Sequence, residues 1–122
     1  MDIDYDSQKP IYIQVAEAIQ DAIVTGAFEE ETQIPSTTEI SLGYRINPAT
    51  VLKGMNLLVD SKVLYKKRGL GMFVSPGAKE MVRQMRSDEF ILNFVKPLVE
   101  EGRKLELSND RMMALVAKEI NA

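Results

Sequence analysis

Two helix-start signals lie eleven residues apart near the middle of the chain, at Ser36 and Asn47, and so short a spacing points to a helix-turn-helix. The first, Ser36-Thr37-Thr38-Glu39, has the form of a capping box. In that motif the serine hydroxyl accepts from the third helical N–H while the glutamate reaches back to the cap. The second is Asn47-Pro48. Asparagine is a favoured N-cap, and proline suits the first helical position, where its missing N–H costs nothing. The spacing predicts a short helix to about Tyr44 with Ile40 inward, then a helix to about Asp60 that buries Val51, Met55, Leu58 and Val59.

The flanking segments fit around that pair. Residues 10–25 carry Ile11, Val15, Ala18, Ile19, Ala22 and Ile23 at spacings of three and four, one apolar helix face, with Pro10 in the first turn and Gly26 as the stop. Residues 27–35 read as a polar, acidic loop. Val63-Leu64-Tyr65-Lys66 and Met72-Phe73-Val74 are β-prone runs around a glycine-containing loop, a hairpin closed by Ser75-Pro76-Gly77. Beyond it, residues 78–101 repeat a helical pattern in which Pro97 should kink or divide the helix and Gly102 should end it. Ser108 caps a last helix striped with Met112, Met113, Leu115, Val116 and Ile120. The expected fold is mainly α with a small β-hairpin wing. A winged helix-turn-helix over 1–77 precedes a two-helix tail over 78–122, whose apolar faces call for a second copy of the chain.

Charge narrows the partner. Residues 1–33 set one lysine against eight carboxylates, net −7, whereas residues 34–77 are net +4 and residues 78–122 are neutral. Charges beyond about 8–10 Å are largely screened, so a polyanion responds to the basic middle of the chain and not to the overall −3. With no histidine and no cysteine, the usual general base, nucleophile pair and transition-metal sites cannot be built, which disfavours an enzyme, a metal and a cofactor. No apolar run reaches the roughly 18–20 residues of a membrane span, and the acidic start is no signal peptide, so a cytoplasmic location is expected. Asp2, Asp4 and Asp6 read as a frayed acidic end.

The landmarks also stand in a familiar order. They are Pro10-Ile11-Tyr12 with Gln14, Ile23 with Gly26 and Phe28, Ile34-Pro35-Ser36, Asn47-Pro48-Ala49-Thr50-Val51, and Gly69-Leu70-Gly71-Met72-Phe73-Val74. Over residues 10–74 the chain resembles the DNA-binding domain of GntR-family bacterial regulators. The Asn-Pro start and the short tail, with Phe94 to Leu98 and the capping Ser108, look like the YtrA-type branch. That resemblance implies a regulator, most naturally a repressor, acting as a homodimer on a palindromic operator. Many family members carry arginines where this chain has Thr38, Pro48 and Leu52, so the bidentate contact of arginine to guanine is missing at those positions.

On this reading, double-stranded DNA meets Ser36 and Thr37 at one helix start, Arg45 in the connection, and Asn47, Ala49, Thr50 and Lys53 at the other. Lys66, Lys67 and Arg68 of the wing meet phosphates or the minor groove, and Gly69 and Gly71 allow close backbone approach. Phe90, Phe94, Leu98, Met112, Leu115 and Val116 form the expected dimer contact. A tail this short leaves any small-molecule effector to the dimer interface or the winged domain. The alternative is a winged-helix protein-interaction module with weak or lost DNA binding.

Overall fold

Pro10 starts the first helix, α1 (Ile11–Val24), from the cap position and not from inside the first turn. Its ψ of 143° keeps it extended, while its carbonyl accepts from Ile13 and Gln14 at 3.1 and 3.2 Å. The computed structural model describes residues 2–122. Residues 4–9 are not a frayed end. The buried Gln14 amide accepts from the Asp4 N–H at 2.7 Å and donates to the Asp4 and Lys9 carbonyls at 2.9 and 3.0 Å. Tyr5 adds a second anchor, its hydroxyl donating to the Tyr44 carbonyl at the end of the next helix.

That helix, α2 (Thr37–Tyr44), and the one after it, α3 (Pro48–Asp60), begin at the two expected caps. The capping box closes in both directions: Glu39 N–H donates to Ser36 Oγ at 3.0 Å, and Ser36 N–H to Glu39 Oε1 at 3.2 Å. Asn47 Oδ1 accepts from the Ala49 N–H at 2.8 Å. Such caps are worth about 1 kcal/mol each, and they set where the turn falls. Between the helices Arg45 takes the left-handed conformation (φ 54°), and the Arg45 and Ile46 N–H groups both return to the Ser41 carbonyl.

The core lies where α1 crosses α3. Val15, Ile19 and Ile23 from α1, with Val51, Met55 and Leu58 from α3, are all buried to 2% exposure or less. Each such side chain contributes roughly 1.5–3 kcal/mol of burial. Gly54 sits at the tightest point, where an added Cβ would lie 2.6 Å from the Tyr12 carbonyl oxygen and 3.1 Å from Val15. Val59, expected inside, is half-buried.

The hairpin pairs β1 (Leu64–Lys67) with β2 (Gly71–Val74), antiparallel from Leu64↔Val74 to Lys67↔Gly71. Its inner residues Val63, Leu64 and Val74 complete the core. Part of the acidic loop pairs with it as well. Gln33 bridges Phe73, Ile34 N–H donates to the Met72 carbonyl at 3.0 Å, and Val74 N–H donates to that of Thr32 at 3.0 Å. The polar composition of residues 27–35 concealed this backbone pairing, an isolated bridge beside the two-stranded hairpin. Helix α4 (Ala78–Phe90) follows, and its Ala78 and Val82 are fully buried. The first compact unit therefore ends at Gln84, beyond the Gly77 boundary expected from the turn residues.

The second unit comprises Met85–Ala122. The helical run is divided just before Pro97, as expected, but by a π turn and not by a loop. That turn, Ile91–Val95, leads into α5 (Lys96–Lys104), with Lys96 N–H donating to the Ile91 carbonyl five residues back. The wider turn accommodates the ring and the missing donor that would otherwise clash with the preceding turn. Gly102 is not a stop. It is buried inside α5, where an added Cβ would collide with the Met112 side chain of α6 (Asn109–Ile120). The turn comes later, with Glu106 left-handed (φ 59°) and Leu107 N–H donating to the Gly102 carbonyl at 2.9 Å. Ser108 caps α6 by accepting from the Arg111 N–H at 3.0 Å.

Candidate nucleic-acid interface

The first turn of α2 and the hairpin form the two walls of a cleft of about 500 Å³. Pro35, Ser36, Thr37 and Thr38 make one wall, Lys66 to Met72 the other, and Met55 also lines it. Three cations and no carboxylate line this space among the described residues. At the same place α2 presents its N-terminus, where backbone N–H groups favour an anion. Ser36 Oγ already accepts one bond from Glu39 and retains a proton to donate to a phosphate oxygen. Thr37 differs: its hydroxyl donates to Met55 Sδ at 3.4 Å, which ties the start of α2 to α3. What Thr37 offers the cleft is its backbone.

The wing is held in position from outside its own strands. Gln33 Nε2 donates to the Leu70 carbonyl at the hairpin tip. Gly71 (φ 129°) leaves the space this requires, since a Cβ there would lie 2.8 Å from Gln33 Nε2. Nothing in the local sequence marks Gln33; its part emerges from a contact 37 residues away. At the tip Leu70 N–H donates to the Lys67 carbonyl at 3.0 Å, and Gly69 is left-handed (φ 78°). Lys66, Lys67 and Arg68 are exposed, with Lys67 Nζ 4.3 Å from the centroid of the Phe73 ring, itself stacked on Tyr65 at 5.8 Å.

The remaining expected contacts lie on the turn and the start of α3, outside the cleft. Arg45, Asn47, Ala49 and Lys53 are exposed and Thr50 is half-buried. Lys53 Nζ stands 4.0 Å over the Tyr12 ring, a cation–π contact joining α3 to α1. Tyr12 was not among the expected site residues, although it lies within the motif that opens α1.

In the second unit the aromatic and aliphatic side chains named for dimer contact divide. Phe90 (57%), Phe94 (65%) and Leu98 (45%) stand exposed, and Leu115 and Val116 are 37% and 38% exposed. Met112 is buried at 8% against Gly102, while its neighbour Met113 is 69% exposed. The Phe90 and Phe94 rings lie 5.7 Å apart, and Leu98, Met113, Val116 and Ile120 line an apolar groove of about 580 Å³ between α5 and α6. Among the described residues no helix is long and apolar enough to cross a membrane.

The family profile described as bacterial regulatory proteins, gntR family, matches residues 11–74, from the start of α1 to the end of β2. Over 113 residues, 93% of this chain and 92% of the relative, the sequence is 26% identical to YhcF of Bacillus subtilis (strain 168), described as an uncharacterized HTH-type transcriptional regulator. A solved GntR-family regulator from Bacteroides thetaiotaomicron is 32% identical, with a TM-score of 0.77 over 91% of this chain and 96% of that one. The DNA-binding domain of AraR, solved in complex with an operator, is 26% identical, with a TM-score of 0.57 over 62% of this chain and 96% of that one. The chain spans 32–36% of the length of several longer regulators that it also resembles. The matched span is the segment that builds the helix-turn-helix, the basic wing and the cleft between them, and the chain belongs to the gntR family of bacterial transcriptional regulators.

Proposed function

We propose that the chain is a cytoplasmic repressor of the YtrA-type branch that binds a palindromic operator as a homodimer. The observation that carries this reading is the convergence of Ser36 and the first turn of α2 with Lys66, Lys67 and Arg68 on one cleft that no carboxylate lines among the described residues. Wing cations grip phosphates there while the start of α3 enters the major groove. The match to YhcF over 93% of this chain takes in helices beyond the hairpin as well as the winged domain. Dimerisation is favoured by the second unit, where Phe90, Ile91, Leu92, Phe94, Val95 and Leu98 are all at least 41% exposed in the single chain. A soluble surface rarely leaves so contiguous an apolar stretch uncovered. Two-fold symmetry would then place half-sites about one helical turn, ~34 Å, apart.

Fluorescence anisotropy of the full chain against its own upstream promoter and a scrambled duplex, at two salt concentrations, tests this reading. Tighter, salt-sensitive binding to the promoter is expected, because each phosphate neutralised releases counterions. Equal and feeble binding to both duplexes would overturn it and favour the interaction-module alternative.

A further inference from the structure

The start of α3 has few polar groups left with which to read a base. Asn47 spends its Oδ1 on the Ala49 N–H, Val51 is fully buried, Thr50 is half-buried, and the Lys53 ammonium rests over Tyr12. Apart from the exposed Lys53, what faces solvent over the first two turns is apolar: Pro48 and Ala49 are exposed, and Leu52 is 40% exposed. Residues three and four apart share a helix face, so Leu52 stands beside both Pro48 and Ala49 in one strip. The strip has exposed cations near it in sequence, Arg45 before it and Lys53 at its end. It therefore lies among groups suited to phosphates.

In the major groove all four bases present hydrogen-bonding groups, which an alanine or leucine side chain cannot pair. One feature of that groove is apolar, the C5-methyl group of thymine. We propose that Ala49 and Leu52 read the operator through thymine methyl groups, so that the step under the start of α3 is A·T and not G·C. The proposal rests on the DNA-binding reading above and adds the base chemistry to it.

The test uses the full chain. Duplexes are selected from a randomised pool, and the selected site is then titrated by anisotropy with each half-site thymine replaced in turn by deoxyuridine, which lacks only the methyl group. Removing one buried methyl should weaken binding about fourfold at the contacted thymine. That loss should shrink in Leu52→Ala, whose exposed position leaves folding intact, as a thermal melt would verify. Leu52→Arg should move selection at the same step from thymine towards guanine. Equal affinity for thymine and deoxyuridine sites, or selected half-sites without a preferred A·T pair, would overturn the proposal and leave the DNA-binding reading standing. Failure to retain any duplex would overturn both.

Discussion

Replacing Gly54 by alanine tests the account of the core most directly, because the substitution adds one methyl group at the closest approach of α1 and α3. The new Cβ would lie 2.6 Å from the Tyr12 carbonyl oxygen and 3.1 Å from two Val15 side-chain atoms. Ordinary van der Waals contact begins near 3.4 Å, so the two helices must separate by roughly 0.8 Å along that line. The obstacle is backbone and cannot rotate aside. A gap of that width forfeits about a quarter to a half of each dispersion contact across it, and Val15, Ile19, Val51 and Met55 all lie in this core. The cost falls at the upper end of the overpacking range, about 3 kcal/mol. Alanine returns about 1 kcal/mol through its better helix propensity. The net expectation is about 2 kcal/mol of destabilisation, a fall in Tm on the order of 10 °C for a domain of this size.

Gly43→Ala is the control. It also lies within a helix, but nothing stands within 4 Å of its added Cβ. Only the propensity gain of up to about 1 kcal/mol applies, so this variant should melt higher than the parent protein. Thermal and urea unfolding at one fixed protein concentration, needed because association would shift Tm, compares the two. A Gly54→Ala protein as stable as Gly43→Ala would refute the claim that glycine sets the distance between α1 and α3.

Three further outcomes follow from the site. Lys67→Ala combined with Arg68→Ala should weaken binding to every duplex and flatten the log K against log salt slope by about two, one unit per lost phosphate contact; unchanged isotherms would remove the wing from the interface. Arg45→Gly should raise stability by about 1 kcal/mol, by relieving a non-glycine residue of its left-handed conformation, while lowering DNA affinity, and paired melting and anisotropy curves would show whether the two effects part. Phe94→Ser with Leu98→Ser should yield a folded monomer, and a dimer persisting in sedimentation would place the interface elsewhere.

What could be read in advance was what is locally encoded. The capping box at Ser36 and the Asn47-Pro48 start each depend on side chains within three residues of the backbone they satisfy, and both helices begin where those signals stand. The hairpin was legible for a related reason, since its strands are separated only by their own turn. The misreadings share the opposite property. Gly102 resembles a helix stop until α6 brings Met112 against it. The acidic first residues look frayed until the Gln14 amide, ten residues from Asp4, holds them. Gln33 carried no signal because its partner, the Leu70 carbonyl, is distant in sequence and is a backbone atom that any residue would supply. At the candidate site the sequence offers residue types but not how each is engaged: Thr37 turns to Met55 and Lys53 to Tyr12.

Those last engagements bear on how a chain with net charge −3 can hold DNA. A flexible lysine loses rotamer freedom when it is fixed on a phosphate, and that loss opposes binding by roughly 0.5–1.5 kcal/mol per side chain. Here two of the candidate lysines are restrained beforehand, Lys53 over Tyr12 and Lys67 over Phe73, which is itself stacked on Tyr65. A cation–π contact at an exposed site is worth only about 0.5–1 kcal/mol, too little to keep an ammonium from a phosphate but enough to bias where it waits. The rings are carried by α1 and by the hairpin, and Gln33 fixes the hairpin tip in turn. With few cations, placement substitutes for number: each one held near its working position contributes more net affinity than a longer run of unrestrained lysines would per residue. On the proposed interface, the strongly acidic first 33 residues matter less than their number suggests, because charges beyond a Debye length of about 8–10 Å are largely screened.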